Sequence, residues 1–384
     1  MTIRSDVPLA PYCTLGVGGP ARWLADAETD DELLSAVRFA RARNAPFFLL
    51  GGGSNLLVSD AGFPGVVIRV AGLGRMELRR LSGHVTIDAD AGVVWDSLVL
   101  LALQKNLAGI ECLAGIPGSV GGTPVQNVGA YGQEVASTIT RVHAIDLEAE
   151  KPVELTAAEC GFAYRRSIFN STQRGRYAIT RVVYALAPDG APHIAYRDIK
   201  QFFAENGYEQ PTLLQTAYAV RSIRARKGML LSPDDPDSRS AGSFFKNPIV
   251  SAEIVPRLAA IKGCRTEEVP QFPAGDVSVG TDAGADFASA ANAENAQGRE
   301  GDPHKLAKLS AAWLIELAGF HKGHVMGRAG LSTKHVLAIV NRGGATAAEI
   351  VALRDAVIDA VHATTGIRLE QEPVLLGFPS VGKA

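Results

Sequence analysis

Three glycine-rich or small-residue runs and a few isolated polar side chains carry what chemistry the chain shows. Gly115-Ile116-Pro117-Gly118-Ser119-Val120-Gly121-Gly122-Thr123-Pro124-Val125-Gln126-Asn127-Val128-Gly129-Ala130-Tyr131-Gly132 interleaves glycine with uncharged hydrogen-bonding residues. Without Cβ atoms the backbone can approach a ligand closely, and successive N–H groups form a nest suited to a pyrophosphate. A loop of that length with no ligand would be expensive to order, which favours cofactor binding. Gly51-Gly52-Gly53-Ser54-Asn55 lacks both the GxGxxG spacing and the Lys-Ser/Thr pair of a P-loop, so alone it reads equally as a strand-to-strand turn or a ligand loop. Gly16-Val17-Gly18-Gly19-Pro20-Ala21 matches GxGxxA, but Pro20 and the absence of a preceding strand argue against a dinucleotide turn.

Among the polar side chains, Arg165 reads equally as a surface arginine in a loop or as a fixed cation with planar donors. Ser243, in Ala241-Gly242-Ser243-Phe244-Phe245-Lys246-Asn247-Pro248, is by default a turn serine, although the aromatic pair and Lys246-Asn247 beside it mark the segment out. Glu370 and Glu372 stand two apart, and either is a candidate for a carboxylate in a common site. Lys227 ends a basic helix that reads equally as a solvated face, and Glu316 lies on a helix expected to bury Leu309, Trp313 and Leu317 whatever its function.

Short strands must position the glycine turns. Apolar runs predict strands at 47–50, 56–58, 66–70, 84–88, 141–146 and 177–186, with helices at 31–44 and 94–104. Beyond Pro211 the pattern is more helical, at 213–226, 252–261, 308–318 and 346–364, with a strand at 336–341. The expected division is therefore residues 1–210, in two parts meeting near 70, and residues 211–384. Residues 275–303 are almost devoid of large apolar side chains and read as a flexible insertion.

Bulk properties narrow the class. With 384 residues the chain is long enough for two or three domains. A formal net charge of −2 argues against a general nucleic-acid binder. The N-terminus has no apolar signal region and no run is long enough to span a bilayer. Cys13, Cys112, Cys160 and Cys264 form no metal-ligand spacing, which points to no metal site and a reducing cytoplasm.

Taken in order, Leu50–Leu57, Gly115–Gly132 and Ala241–Pro248 closely resemble the UDP-N-acetylenolpyruvoylglucosamine reductase (MurB) family, with the likeness running from about Thr14 to Gly377. The resemblance implies an α+β protein: an FAD-binding domain of the vanillyl-alcohol-oxidase (PCMH) type, then an α/β substrate-binding domain. It implies non-covalent FAD held by Gly51, Gly52, Gly53, Ser54 and Asn55, and by Gly115, Ile116, Pro117, Gly118, Ser119, Gly121, Gly122, Gln126, Asn127, Gly129, Ala130 and Tyr131. NADPH would reduce the flavin, which passes hydride from N5 to C3 of UDP-N-acetylglucosamine enolpyruvate. Arg165 would stabilise the enolate-like carboxylate, Ser243 would protonate C2, and Glu372, favoured by its distance from Gly377 over Glu370, would sit opposite.

Tyr164, Tyr196, Lys227, Asn247 and Glu316 would bind the sugar nucleotide. Ile194-Ala195-Tyr196-Arg197-Asp198 looks like the tyrosine-bearing loop that marks one type of the family. Two departures stand out: Cys13 replaces a usual Asn, and Gln371 replaces a usual Pro in Leu369-Glu370-Gln371-Glu372. No nucleic-acid, membrane or obligate protein partner is expected. The competing readings are another FAD-dependent sugar or alcohol oxidoreductase of the same fold, which lacks a histidine flavin-attachment motif here, and a non-catalytic nucleotide-binding protein, which leaves Arg165, Ser243 and Glu372 unexplained.

Overall fold

The buried small and apolar residues of Pro20–Ala27 (Ala21, Leu24, Ala25 and Ala27) make it an inner strand of the first sheet. It pairs antiparallel with Ile3–Pro8 and parallel with Phe63–Val70, which pairs parallel with Phe47–Leu50 on its other side. Parallel neighbours need a crossover, and the helix Asp30–Arg41 lies in the stretch between the 20–27 and 47–50 strands. Its stripe of Leu33, Leu34, Val37 and Ala40 is buried, while the Thr29 hydroxyl caps it by accepting from the Glu32 N–H. The computed structural model describes residues 1–272 and 306–379. The insertion expected at 275–303 lies outside the described residues.

A second, antiparallel sheet follows in the order Lys151–Thr156, Ile139–Asp146, Tyr177–Pro188, His84–Asp90, Met76–Leu81. The helix Trp95–Gln104 buries Trp95, Leu98, Val99 and Ala102 in that sheet's core. The two edge strands were not legible in the sequence: Met76–Leu81 exposes all but its first residue, and Lys151–Thr156 buries none fully, so neither shows a clear apolar alternation. The Gly16–Ala21 run leads into the strand Pro20–Ala27 and not into a helix, which excludes a dinucleotide turn there.

The C-terminal part gathers Phe244, Phe245, Leu309, Leu314, Ile350, Leu353 and Val357 into one core beneath the helices Val255–Lys262, Ala311–Leu317 and Ala347–Thr365. The expected helix at 308–318 needs correction. Leu306–Leu309 is a strand paired with Ile249–Ser251 and Gln271–Phe272, and the helix begins only after Ser310, whose hydroxyl accepts from the Trp313 N–H. The stretch expected as strand at 336–341 is strand only over Ile339–Asn341.

The two parts interlock. Val374–Leu376 pairs in parallel with Leu56–Val58, and Leu15, Val17 and Leu57 belong to the C-terminal core. The Asp60 carboxylate accepts from the Ala347 and Ala348 N–H groups at 2.7 and 2.9 Å, where the positive end of the long helix favours a negative charge. Helix Leu213–Arg226 packs on Cys112, Tyr131 and Phe203, and Arg224 Nε donates to the Gly115 carbonyl at 3.2 Å. Among the described residues no helix is long and apolar enough to cross a membrane.

Candidate active site

The fold brings the two glycine runs into contact. A Cβ placed on Gly52 would lie 2.6 Å from the Gly118 Cα, so the backbones meet where only glycine fits. The N–H groups of Gly52, Gly53 and Ser54 donate to no described backbone group. Ser119 Oγ, beside this contact, is buried with no hydrogen-bond partner among the described residues. A cradle of free amides with an orphaned hydroxyl is what a pyrophosphate-bearing cofactor requires.

Not every residue of the long loop points its side chain at that cradle. Asn127 is buried, donates to Glu134 Oε2 and the Ala163 carbonyl, and accepts from the Ala136 N–H. Its side chain is spent on holding the loop. Gln126 Oε1 instead accepts from Asn55 Nδ2 at 2.6 Å, and Asn55 Nδ2 also lies 3.3 Å from the Glu372 carbonyl. One amide group therefore joins the short turn, the long loop and the C-terminal strand.

Arg165 reaches this junction from the other side. Its backbone is left-handed, with φ +55°, a conformation costly for a non-glycine residue and held here by Asn170 donating to its carbonyl. Its NH2 group donates to the Gly129 carbonyl at 2.9 Å, and Nε lies 3.2 Å from Glu372 Oε1. Burial works against the Arg165 charge, but Glu372, Tyr164 and Glu134 more than offset it and raise its pKa.

The choice between the two glutamates is visible in the side-chain partners. Glu370 turns to Lys246, whose Nζ is 2.5 Å from its Oε1, while Glu372 turns to Arg165. Gln371, between them, accepts from Arg354 and donates to the Pro373 carbonyl. Cys13, the other departure, is a buried thiol donating to the Val17 carbonyl, and burial pushes its pKa up.

Ser243 lies next to this pair by backbone pairing. The Glu372 N–H donates to the Phe244 carbonyl at 2.9 Å, and Phe245 bridges Gln371. Buried Phe244 and Phe245 anchor the segment in the C-terminal core, leaving Ser243 half-buried at its start.

The groups expected to hold the sugar nucleotide divide into those gathered and those not. Tyr196 packs edge-on against Tyr131 at 5.4 Å, and Lys227 Nζ lies 5.9 Å from the Tyr131 ring centre and 2.6 Å from Asp198 Oδ2. Tyr196 ends the irregular stretch 190–196 with extended backbone, at the N-cap position of the helix Arg197–Glu205, and its side chain makes no capping hydrogen bond. Asn247 Oδ1 accepts from the Ala311 N–H, so that oxygen serves a helix end. Tyr164 lies under Lys308 and beside Arg165. Glu316 is exposed on its helix, and the structure gives its side chain no contact with the others.

Lys308 was not legible as a site residue. Its Nζ sits 3.4 Å over the Tyr164 ring centre, and burial, reinforced by Arg165 and partly offset by Glu134, pushes its pKa down to about 8. It follows Ala307 and precedes Leu309, both buried, so a lysine on the opposite strand face reads in sequence as a solvated residue. His335 is a second case: burial first, then Lys227 and Lys322, lower its pKa to about 4 and leave a neutral imidazole near Lys227.

Comparison with known proteins agrees with this anatomy. The model for the UDP-N-acetylenolpyruvoylglucosamine reductase C-terminal domain matches residues 234–376, and the model for an FAD binding domain matches residues 21–155. A protein of Thermobifida fusca (strain YX) named UDP-N-acetylenolpyruvoylglucosamine reductase is 42% identical over 377 residues, 97% of each chain. One of the same name from Nocardia farcinica (strain IFM 10152) is 43% identical over 98% of this chain and 90% of its own. The crystal structure of the reductase from Thermus caldophilus matches with a TM-score of 0.61 at 28% identity, covering 98% of this chain and 100% of that one.

Proposed function

The chain belongs to the UDP-N-acetylenolpyruvoylglucosamine reductase family, and from that premise we propose that it reduces UDP-N-acetylglucosamine enolpyruvate to UDP-N-acetylmuramate for peptidoglycan precursor synthesis. The observation that carries the reading is the junction at Asn55, where both glycine runs meet the C-terminal segment bearing Glu372 and, through it, Arg165. The Gly51–Asn55 turn and the loop from Gly115 would hold FAD, which would supply a hydride relay from NADPH to the enolpyruvyl double bond.

The chain's own residues bind, orient and protonate. Arg165, half-buried and fixed by Gly129 and Glu372, faces the substrate carboxylate as charge develops on it. Ser243 gives its proton to C2. An alcohol is a weak acid, but an enolate carbon is basic enough to take the proton when the hydroxyl is well placed. Glu372 lies opposite and keeps the guanidinium in place. Tyr196 and Lys227 bind the diphosphate, which takes up the Lys227 charge that Asp198 otherwise holds; Tyr164 and the Nδ2 group of Asn247 complete that side, with Glu316 at its margin.

In this account residues 1–210 form the FAD-binding part and residues 211–384 the substrate part, with helix Leu213–Arg226 docked on the former. The four thiols are free among the described residues, which supports a reducing cytoplasm as the compartment. Incubation with NADPH and UDP-N-acetylglucosamine enolpyruvate should yield UDP-N-acetylmuramate by mass spectrometry. Consumption of NADPH with oxygen and no sugar product would favour an oxidase instead.

Neither glycine run carries a histidine or a cysteine of its own to bond covalently to the flavin. Purified protein should therefore be yellow, and acid precipitation should release FAD to the supernatant. Flavin retained in the pellet would overturn the non-covalent assignment.

Tyr196→Phe should weaken binding of the sugar nucleotide about 10- to 150-fold, because a hydrogen bond to a charged group contributes roughly 1.5–3 kcal/mol. Flavin reduction by saturating NADPH should hardly change. Titration of the flavin spectrum with substrate reads the first quantity, and an unchanged dissociation constant would remove Tyr196 from the site.

A further inference from the structure

Glu111 is 1% exposed, and among the described residues no ion pair is seen to it. Its carboxylate is satisfied by neutral donors. Oε1 accepts from the His193 N–H and from Gln133 Nε2, each at 2.8 Å, and Oε2 accepts from the Gly109 N–H at 2.8 Å. The next residue completes a clamp: Cys112 Sγ donates to the His193 carbonyl at 3.2 Å, and the Cys112 N–H donates to Gln133 Oε1. Two consecutive residues thus hold both backbone groups of His193, 82 positions away in sequence.

The clamp has two outputs. The turn Glu111–Leu113 runs directly into the Gly115 loop. His193 stands three residues before Tyr196, whose ring rests on Tyr131 of that same loop. Close packing reinforces the connection, since a Cβ on Gly132 (φ +87°) would lie 2.9 Å from His193 Nε2. Cys112, Tyr131, Ile194 and Tyr196 lie in one apolar cluster.

We propose that Glu111 is a positioning residue for the sugar nucleotide: by gripping His193 it fixes Tyr196 relative to the glycine loop. The inference rests on the diphosphate-binding reading of Tyr196. A carboxylate is needed because all three of its partners are N–H donors. Glutamine would turn an NH2 group toward at least one of them and leave a buried donor unpaired.

The test uses the full-length holoprotein with Glu111→Gln. Substrate should bind about 10-fold more weakly, corresponding to about 1.4 kcal/mol, while bleaching by saturating NADPH stays within about 2-fold and flavin is retained. The His193 amide should exchange with solvent faster in the variant, with no ligand added. In the double variant Glu111→Gln/Tyr196→Phe, substrate binding should be no weaker than in Tyr196→Phe alone, because residues acting through one contact are not additive. Should Glu111→Gln fail to fold, Glu111→Asp, which keeps acceptor oxygens at shorter reach, is read by the same measurements.

Multiplying effects in the double variant would overturn the proposal, as would equal slowing of both half-reactions with loss of flavin. An unaltered His193 exchange rate would overturn the clamp itself. If Tyr196→Phe alone is silent while His193 exchange still rises, the clamp stands and the diphosphate reading of Tyr196 is what fails.

Discussion

Ser243→Ala is expected to bleach with NADPH at near the parental rate and then to be reoxidised by substrate at least about 100-fold more slowly, with about 10⁴-fold as the upper range for losing a positioned general acid. The two phases separate because reduction of the flavin needs no proton from Ser243, whereas completing the substrate needs one at C2. The flavin should be retained, since the cradle is built from the Gly52–Gly118 contact and Ser243 belongs to a separate segment, whose Phe244 carbonyl accepts from the Glu372 N–H. Stopped-flow absorbance follows both phases in one preparation. Equal slowing of both would indicate a positional or folding defect, and normal reoxidation would assign the proton to another group or to water.

Arg165→Met should lower the saturated rate of substrate reduction by about 10²- to 10³-fold, the usual cost of removing a donor aimed at developing negative charge. Raising the substrate concentration should not restore it, because the lost interaction strengthens in the transition state. Arg165→Lys should recover little. The guanidinium bonds the Gly129 carbonyl with one nitrogen and approaches Glu372 with another, a fork that a single ammonium cannot reproduce. The variant leaves the half-buried Glu372 without its cation, so thermal stability is to be measured alongside, together with flavin content. A fully loaded, stable Arg165→Met protein with a parental reoxidation rate would remove Arg165 from the chemistry.

How much of this was legible in the sequence depended on the range of the interaction. Glycine density marked the Gly115–Gly132 loop as a place of close backbone approach, whereas the Gly51–Asn55 turn read equally as a plain turn until its contact with Gly118 was seen in the fold. Alternation could not separate Glu370 from Glu372, since residues two apart on a regular strand share a face; the segment is not regular strand there, and the partners Lys246 and Arg165 show which way each glutamate turns. Lys308 was hidden because its strand has one core face, and a lysine on the other face carries no signal until Tyr164 is folded beneath it. Glu111 looked like any acid near a turn, since its partner His193 is far along the chain. The edge strands Met76–Leu81 and Lys151–Thr156 escaped for the opposite reason: they bury too little to show a pattern. The helix expected at 308–318 was misplaced at its start because strand pairing with Ile249–Ser251 outweighs local helical periodicity there.

The account stands most directly on one anaerobic stopped-flow experiment with the parental protein. Excess-free NADPH should bleach the flavin, and subsequent mixing with UDP-N-acetylglucosamine enolpyruvate should restore the oxidised spectrum in a single turnover with stoichiometric UDP-N-acetylmuramate. Bleached flavin that is untouched by this substrate, yet reoxidised promptly by oxygen or by a different acceptor, would contradict it.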